Sequence, residues 1–436
     1  MKFYNRENEL ELLQKVHNLS ATSAQMTFVV GRRRIGKTRL LVRAFENEKM
    51  VYLFVAKKNE ALLCAEFVEE IKQKLNLPVY GEIKTFKEVF EVLMQASKNQ
   101  QFTVVIDEFQ EFLSVNASVY AAMQNQWDLN KEESKINLIL CGSVYSMMSR
   151  IFENAKEPLF GRATQRIHIK AFDTQTLKAI LKDFAPDHTP EDLLAFYLIT
   201  GGVAKYVEIL VQEQAFTRDA IMDTVLSENS LFLEEGKNVL IEEFGKEYGN
   251  YFSILSLIAS GKTSRVEIES IMEMQTGGFL NRLETEYDLI KKVRPILAKP
   301  GSRSVKYKIN DTFLAFWFRF IYKYRSAVEA GNLEYLKEIV KRDYAVFSGT
   351  VLENYFIQKL KAEKAYNQIG TYWDTNHTHE IDIVAINELK KKILFAEVKR
   401  QKENISIPKL KEKTLKLQPQ FTGYEFSYKA LAMDDM

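Results

Sequence analysis

The sequence has little of what would set it apart from an ordinary soluble chain. Its 436 residues include 2 cysteines, 8 prolines and 18 glycines. Cys64 and Cys141 are far apart and sit in apolar contexts, which excludes a disulfide framework or a cysteine-based metal site. So little glycine and proline excludes collagen-like and low-complexity character. No apolar run approaches the ~20 residues that cross a bilayer as a helix. One of the longest, Ile136 to Cys141, is broken by Asn137. The first residues, Met1 to Leu10, are polar and charged, unlike a signal peptide. A cytoplasmic location is the expectation. Net charge is nearly absent too: 60 basic and 58 acidic residues leave +2, a sum that can hide local asymmetry.

What is present is apolar mass in a readable pattern. Hydrophobic residues make up 46% and aromatic residues 12%, enough for more than one core. Up to about residue 170, short apolar runs at Met26 to Val30, Val51 to Ala56, Thr103 to Ile106 and Asn137 to Cys141 read as buried strands. Helical stretches such as Ala61 to Leu75 and Phe86 to Ala96 lie between them, which implies a parallel sheet covered on both faces. Near the start, Leu10, Leu12, Leu13, Val16 and Leu19 fit one face of a helix. Residues 171–245 carry only helical patterns, including one predicted over Arg218 to Leu233. Residues 246–325 give three short helices and then a hairpin-like stretch, Val293 to Ile309, with Pro300-Gly301 at its tip. That is the layout of a winged helix-turn-helix. Residues 326–436 return to mixed helix and strand.

The first strand runs into Gly31-Arg-Arg-Arg34-Ile-Gly36-Lys37-Thr38 and then a helix. This is G-x4-G-K-T in the strand–loop–helix context that the motif requires. The glycines let backbone N–H groups wrap phosphates, Lys37 neutralises their charge, and Thr38 offers a hydroxyl to Mg²⁺. Gly31, Arg34, Gly36, Lys37 and Thr38 are thus the expected contacts to ATP. The run Thr103 to Ile106 ends in Asp107-Glu108. Asp107 would hold Mg²⁺ through water, and Glu108 would polarise the attacking water.

With these motifs the chain resembles the AAA+ superfamily. It is most like archaeal and bacterial ATPases with a winged helix and a C-terminal domain of unknown function related to PD-(D/E)xK nucleases. The likeness also rests on Arg6-Glu7, Leu140-Cys-Gly142-Ser143, Pro158-Leu-Phe-Gly161-Arg162, Gly201-Gly202-Val-Ala-Lys205 and Asp311 through Trp317. It implies that Ser143 senses the γ-phosphate, that Arg162 is an arginine finger acting in cis or across a homo-oligomer, and that Lys205 is a second sensor. Arg162 also reads as a surface arginine. At Lys205 the family often has arginine, and lysine lacks its bidentate fork. The implied fold is α/β multidomain: a P-loop NTPase parallel sheet (1–170), a helical lid (171–245) acting as one unit with it, a winged helix-turn-helix (246–325) and a C-terminal restriction-endonuclease-like domain (326–436).

Two stretches carry the basic excess. Residues 291–308 hold seven basic residues and no acid, and residues 386–416 hold ten against four acids. A basic wing matches an electrostatic footprint for DNA, although the candidate recognition helix, Gly278 to Leu289, contains Glu284, Glu286 and Asp288, which would repel phosphate. In the C-terminal region Asp382 is followed, after fourteen residues, by Glu397-Val-Lys399. This is the D…E-x-K spacing of the nuclease fold, with Glu353 matching the acid that fold supplies from a helix. Asp382, Glu397 and Glu353 would hold Mg²⁺, and Lys399 would assist the water or the phosphate. His377 and His379 could extend an array toward Asp382 but read first as loop residues. The leading expectation is an ATPase coupled to nucleic acid. Its alternative is an ATP-dependent signalling switch that binds a protein partner and has no nuclease activity.

Overall fold

The computed structural model describes residues 2–244, 248–299, 301–302, 304–374 and 379–436. They divide into two compact units, residues 2–170 and 171–436.

The first unit is built on five parallel strands: β1 (Gln25–Val30), β2 (Met50–Phe54), β3 (Phe102–Asp107), β4 (Ile136–Gly142) and β5 (Gln165–His168). Their spatial order is β2-β3-β4-β1-β5. Every residue of β3 and β4 is buried, as strands covered on both faces must be. Alternation along the strands feeds two cores. Phe28, Val104, Ile106 and Leu138 point to one, and Val29, Val105, Ile139 and Cys141 to the other. Four strands follow the apolar runs of the sequence. β5 has no such run, since Ile167 is its one buried residue. The N-terminal helix Glu7–Ser20 buries Leu13 and Val16 but leaves Leu19 48% exposed, so its apolar stripe is narrower than the spacing predicts.

The second unit begins with helices Thr174–Phe184, Pro190–Thr200, Ala204–Gln212, Arg218–Val225 and Leu231–Phe244. The single helix predicted over Arg218 to Leu233 is two helices, because Ser227-Glu-Asn-Ser230 turns the chain instead of continuing it. Helices Tyr248–Ala259, Arg265–Met272 and Gly277–Thr285 follow, then an antiparallel ribbon of β6 (Ile290–Val293) and β7 (Lys306–Ile309). The ribbon starts three residues earlier than predicted, and Pro300 and Arg303 near its tip lie outside the described residues. The aromatic segment forms an α-helix, Thr312–Phe316, that widens to a π-helical stretch, Trp317–Tyr322.

A 30-residue helix, Leu333–Ala362, leads to a four-stranded sheet. Its strands are β8 (Gln368–Trp373), β9 (Glu380–Asn387), β10 (Lys392–Val398) and β11 (Glu425–Leu431), in the order β11-β10-β9-β8. β8, β9 and β10 form an antiparallel meander. Helix Ile407–Thr414 then returns the chain so that β11 runs parallel to β10. The helices of 171–245 group with this C-terminal part. Tyr197 Oη accepts from Asn354 Nδ2 at 2.9 Å, and Arg400 reaches Glu191. The chain beyond β6 docks on the sheet edge, where Ile296 N donates to Thr371 O at 2.7 Å and Trp373 Nε1 to Ser304 Oγ at 2.8 Å.

Candidate functional site

Parallel strands bring their C-terminal ends to one edge of a sheet, and three of the sequence motifs sit there. β1 ends at Gly31, β3 at Asp107-Glu108 and β4 at Gly142-Ser143. The register aligns Val30 with Gly142, and Ile106 with Leu140.

The loop after β1 is shaped by two glycines. A Cβ on Gly31 would stand 2.8 Å from Ile169 O, too close for any side chain. Gly36 has φ +93° and caps the helix Lys37–Ala44. Lys37 is buried, and its ammonium donates to Gly31 O at 2.7 Å and Arg32 O at 3.2 Å, so it lies inside the loop. Burial holds this ammonium below its usual range, although Glu108 and Asp107 pull the other way. A phosphate bound in the loop would supply the missing negative charge. Arg34 is exposed, at φ +68°.

Thr38 and Asp107 are joined by a residue that the motifs did not name. Tyr52 Oη lies 3.3 Å from Thr38 Oγ1 and donates to Asp107 Oδ2. Burial and the Asp107 charge push this phenol far up, so it remains a donor. A hydroxyl and a buried carboxylate that share one phenol are close to a common point. They form the hard oxygen set that suits Mg²⁺. The one sequence signal for Tyr52 was a polar tip among the apolar residues of β2.

Glu108 adopts φ +52°, a left-handed conformation uncommon for a non-glycine residue. Its carboxylate accepts from Ser143 Oγ at 2.8 Å and from Gln110 Nε2. Two residues singled out separately thus meet, joined by Gln110, which sequence reasoning missed. The tight packing explains Gly142: a Cβ there would fall 2.4 Å from Met148 Cγ and 2.6 Å from Gln110 Oε1. The Arg162 guanidinium forks onto Asp128, with Nη2 to Oδ2 at 2.6 Å, and also donates to Pro158 O at 2.7 Å and Phe160 O at 3.1 Å. Lys205 belongs to the second unit, where it pairs with Glu208 at 2.9 Å.

The C-terminal sheet assembles the other predicted cluster. β9 and β10 are neighbours, and Asp382 and Glu397 lie just past their last paired residues, Ile383 and Ala396. Lys399 Nζ stands 3.6 Å from Asp382 and 3.7 Å from Glu397. Asp382 accepts from Val398 N at 2.8 Å. Lys413, from helix Ile407–Thr414, donates to both Glu397 oxygens at 3.0 Å; the sequence marked its helix as basic but not its role. Glu353 pairs loosely with Lys308 at 3.8 Å. Its carboxyl is pushed up to about 7, chiefly by burial and then by the Asp382 charge, against Lys308 and Lys399. Burial also raises Asp382. Among the described residues no three acidic, histidine or cysteine side chains are grouped to hold a metal, since lysines stand between the carboxylates. His379 shares backbone contacts with Asp374, and His377 lies outside the described residues.

The basic ribbon is not an open cationic face. Lys292 pairs with Glu284, Lys306 with Glu380 at 3.0 Å, and Lys308 with Glu353. Glu284 of helix Gly277–Thr285, Glu380 of β9 and Glu353 of helix Leu333–Ala362 take up these charges. Arg294 and Lys299 are exposed.

No helix among the described residues is long and apolar enough to cross a membrane. The chain is similar, at 28% identity over 91% of its length and 87% of the relative's, to an uncharacterized protein of Methanocaldococcus jannaschii. It has the fold of a Walker-type ATPase of Pyrococcus abyssi (TM-score 0.55, 18% identity, covering 72% of this chain and 96% of that one). The Aeropyrum pernix ORC2 protein, solved as ADPNP–ADP complexes, gives TM-score 0.53 at 15% identity, covering 76% of this chain and 95% of that one. Residues 3–210 match the family of ATPase domains predominantly from Archaea, and residues 317–414 match a family of archaeal and bacterial proteins of unknown function. The match over residues 3–210 makes the chain an ATPase, joined to a domain of the second family at residues 317–414.

Proposed function

We propose that ATP hydrolysis in the first unit drives a nuclease-like second unit that acts on nucleic acid in the cytoplasm. In this reading Gly31, Gly36 and Lys37 bind the triphosphate, with Arg34 at the mouth of the loop. Thr38 and Asp107 hold Mg²⁺, which supplies charge neutralisation and orientation when bound. Glu108 takes a proton from the attacking water, and Ser143 orients Glu108. Arg162 acts as a finger after leaving Asp128, and Lys205 acts from the lid. The Aeropyrum ORC2 protein's ADPNP–ADP complexes are in keeping with this assignment of nucleotide. Lys37→Ala is expected to abolish ATP binding. Glu108→Gln is expected to keep binding while cutting turnover by about 10²- to 10³-fold. Wild-type turnover in either variant overturns the assignment.

The observation that supports the nuclease-like half is that Lys399 Nζ stands within 4 Å of both Asp382 and Glu397, with Glu353 near enough to feel the charges of Asp382 and Lys399. A divalent cation bound there would activate water and stabilise the leaving oxygen. Lys399 would stabilise charge on the phosphate, and Lys413 would yield Glu397 to the metal. Nicking of DNA with Mg²⁺ or Mn²⁺ should vanish in Asp382→Ala and Lys399→Ala, and equal inertness of wild type and variants removes the nuclease assignment.

One observation favours a second reading. The ribbon residues 291–308, taken as a winged-helix wing, spend three lysines on the protein's own acids. A switch that binds a protein partner through the second unit needs no exposed cationic wing. DNA-stimulated hydrolysis supports the first reading. Hydrolysis indifferent to DNA, with an oligomeric state that follows the nucleotide, supports the second.

A further inference from the structure

Where the ribbon faces the long helix Leu333–Ala362, the second unit encloses a cavity of about 550 Å³. That is ample for a metabolite-sized ligand. Its lining is one-sided in charge. Lys291, Lys292, Arg294, Lys308, Arg319 and Lys361 border it, and Glu353 is the one acid that does. Some of these cations have partners: Lys292 has Glu284, Lys308 has Glu353, and Arg319 has Asp343 at 3.5 Å. Among the described residues Lys291, Arg294 and Lys361 have no ion pair. Lys361 is exposed, so water satisfies it, but Lys291 is half-buried. Burial and the neighbouring charges of Lys361 and Lys308 bring its ammonium down to about 8, with Asp288 alone opposing them. A protein gains nothing from crowding unpaired cations into a cavity unless an anion comes to meet them.

An independent observation points the same way. Thr371, on the edge strand β8, is 7% exposed, and its hydroxyl has no hydrogen-bond partner. The residue lines the same cavity, and its hydroxyl, itself shut off from solvent, must turn to meet a ligand there. A buried hydroxyl left unpaired is unfavourable, and hydroxyls are common phosphate ligands. Part of the remaining wall is apolar and aromatic, with Ile258, Tyr307, Phe347 and Ile357, beside polar residues such as Ser260 and Asn354. A bare inorganic anion would leave this wall uncovered.

We infer that the cavity binds a small phosphate ester of nucleotide size, its phosphate held by Lys291, Lys361 and the Thr371 hydroxyl and its ring or apolar body against Tyr307 and Phe347. The site is separate from the phosphate loop of the first unit and stands without the nuclease-like reading. Lys308 connects it to the acidic cluster, because the lysine that borders the cavity also pairs with Glu353. A bound phosphate would compete for that lysine and change the charge felt by Glu353.

The test uses the full chain carrying Lys37→Ala, which removes the phosphate loop as a competing site. Calorimetric titration with AMP should show one site per chain. Inorganic phosphate should compete with it more weakly. Lys361→Gln, at an exposed position that folding does not need, should weaken AMP binding about tenfold. Thr371→Val should weaken it in the same direction, with both variants melting as the parent does. Near pH 8 to 9 AMP binding should take up protons as Lys291 is recharged, read from the dependence of the heat on buffer. AMP failing to bind, or binding unchanged by Lys361→Gln and Thr371→Val, overturns the proposal. So does a short single-stranded oligonucleotide that binds through these residues while AMP does not, which would make the cavity part of a nucleic-acid path.

Discussion

Tyr52 is the residue whose role was least visible in the sequence and most specific in the structure. Its phenol donates to Asp107 and lies beside Thr38, the two groups proposed to hold Mg²⁺. Groups that orient metal ligands from behind typically cost 10- to 100-fold in metal affinity when removed. Tyr52→Phe should therefore raise the Mg²⁺ concentration for half-maximal hydrolysis by about tenfold and leave metal-free ATP binding unchanged. An unaltered Mg²⁺ titration would make the phenol a bystander. Glu108 makes a related point. Its left-handed backbone and its two donors, Ser143 and Gln110, fix the carboxylate before any ligand arrives.

Elements meet tightly where helix Leu231–Phe244 crosses the π-helical turn Trp317–Tyr322. A Cβ on Gly236 would sit 2.2 Å from Trp317 Cδ2, and the indole N–H donates to Leu233 O at 2.8 Å. Neither side can yield, because Trp317 is buried and Phe252 and Tyr322 also pack on it. Gly236→Ala is expected to destabilise the second unit by about 2–3 kcal/mol, despite the better helix propensity of alanine. Chemical denaturation checks this, and a neutral or stabilising result would mean that the crossing can relax. The ribbon is the counter-case for sequence reading. Its seven basic residues read as an open cationic face. In the fold, acids from the neighbouring helix, β9 and the long helix meet Lys292, Lys306 and Lys308.

Across the molecule, near-neutrality conceals buried charge that makes stability depend on pH. The Glu353 carboxyl, at about 7 when folded, lies above its ordinary 4.5. Below pH 4.5 it is protonated in both states and contributes no pH dependence. As pH rises from 4.5 to 7 the unfolded chain sheds the proton first, so the folded state loses stability, and above 7 the full cost remains. With Asp382, Glu380, Lys308 and Lys399 around it, this cost is on the order of 3 kcal/mol. In EDTA, Glu353→Gln should melt above wild type at pH 8 and with it at pH 4. The same difference at both values would trace the effect to packing.

The phosphate loop, the acid pair, four of the five parallel strands and the D…E-x-K spacing were legible because each is local. A loop that wraps phosphate, or a strand buried on both faces, needs particular residues at consecutive positions, and those can be read in one line. β5 was not legible because one buried residue leaves no periodicity. Tyr52 and Lys413 were not legible because their partners, Asp107 and Glu397, are 55 and 16 residues away and are reached only when the strands and helices assemble. The pairing of the ribbon's lysines with acids, the grouping of the helices of 171–245 with the C-terminal sheet, and the cationic cavity beside Thr371 arise the same way. Charge neutralisation and cavity shape act through space, so sequence order does not record them.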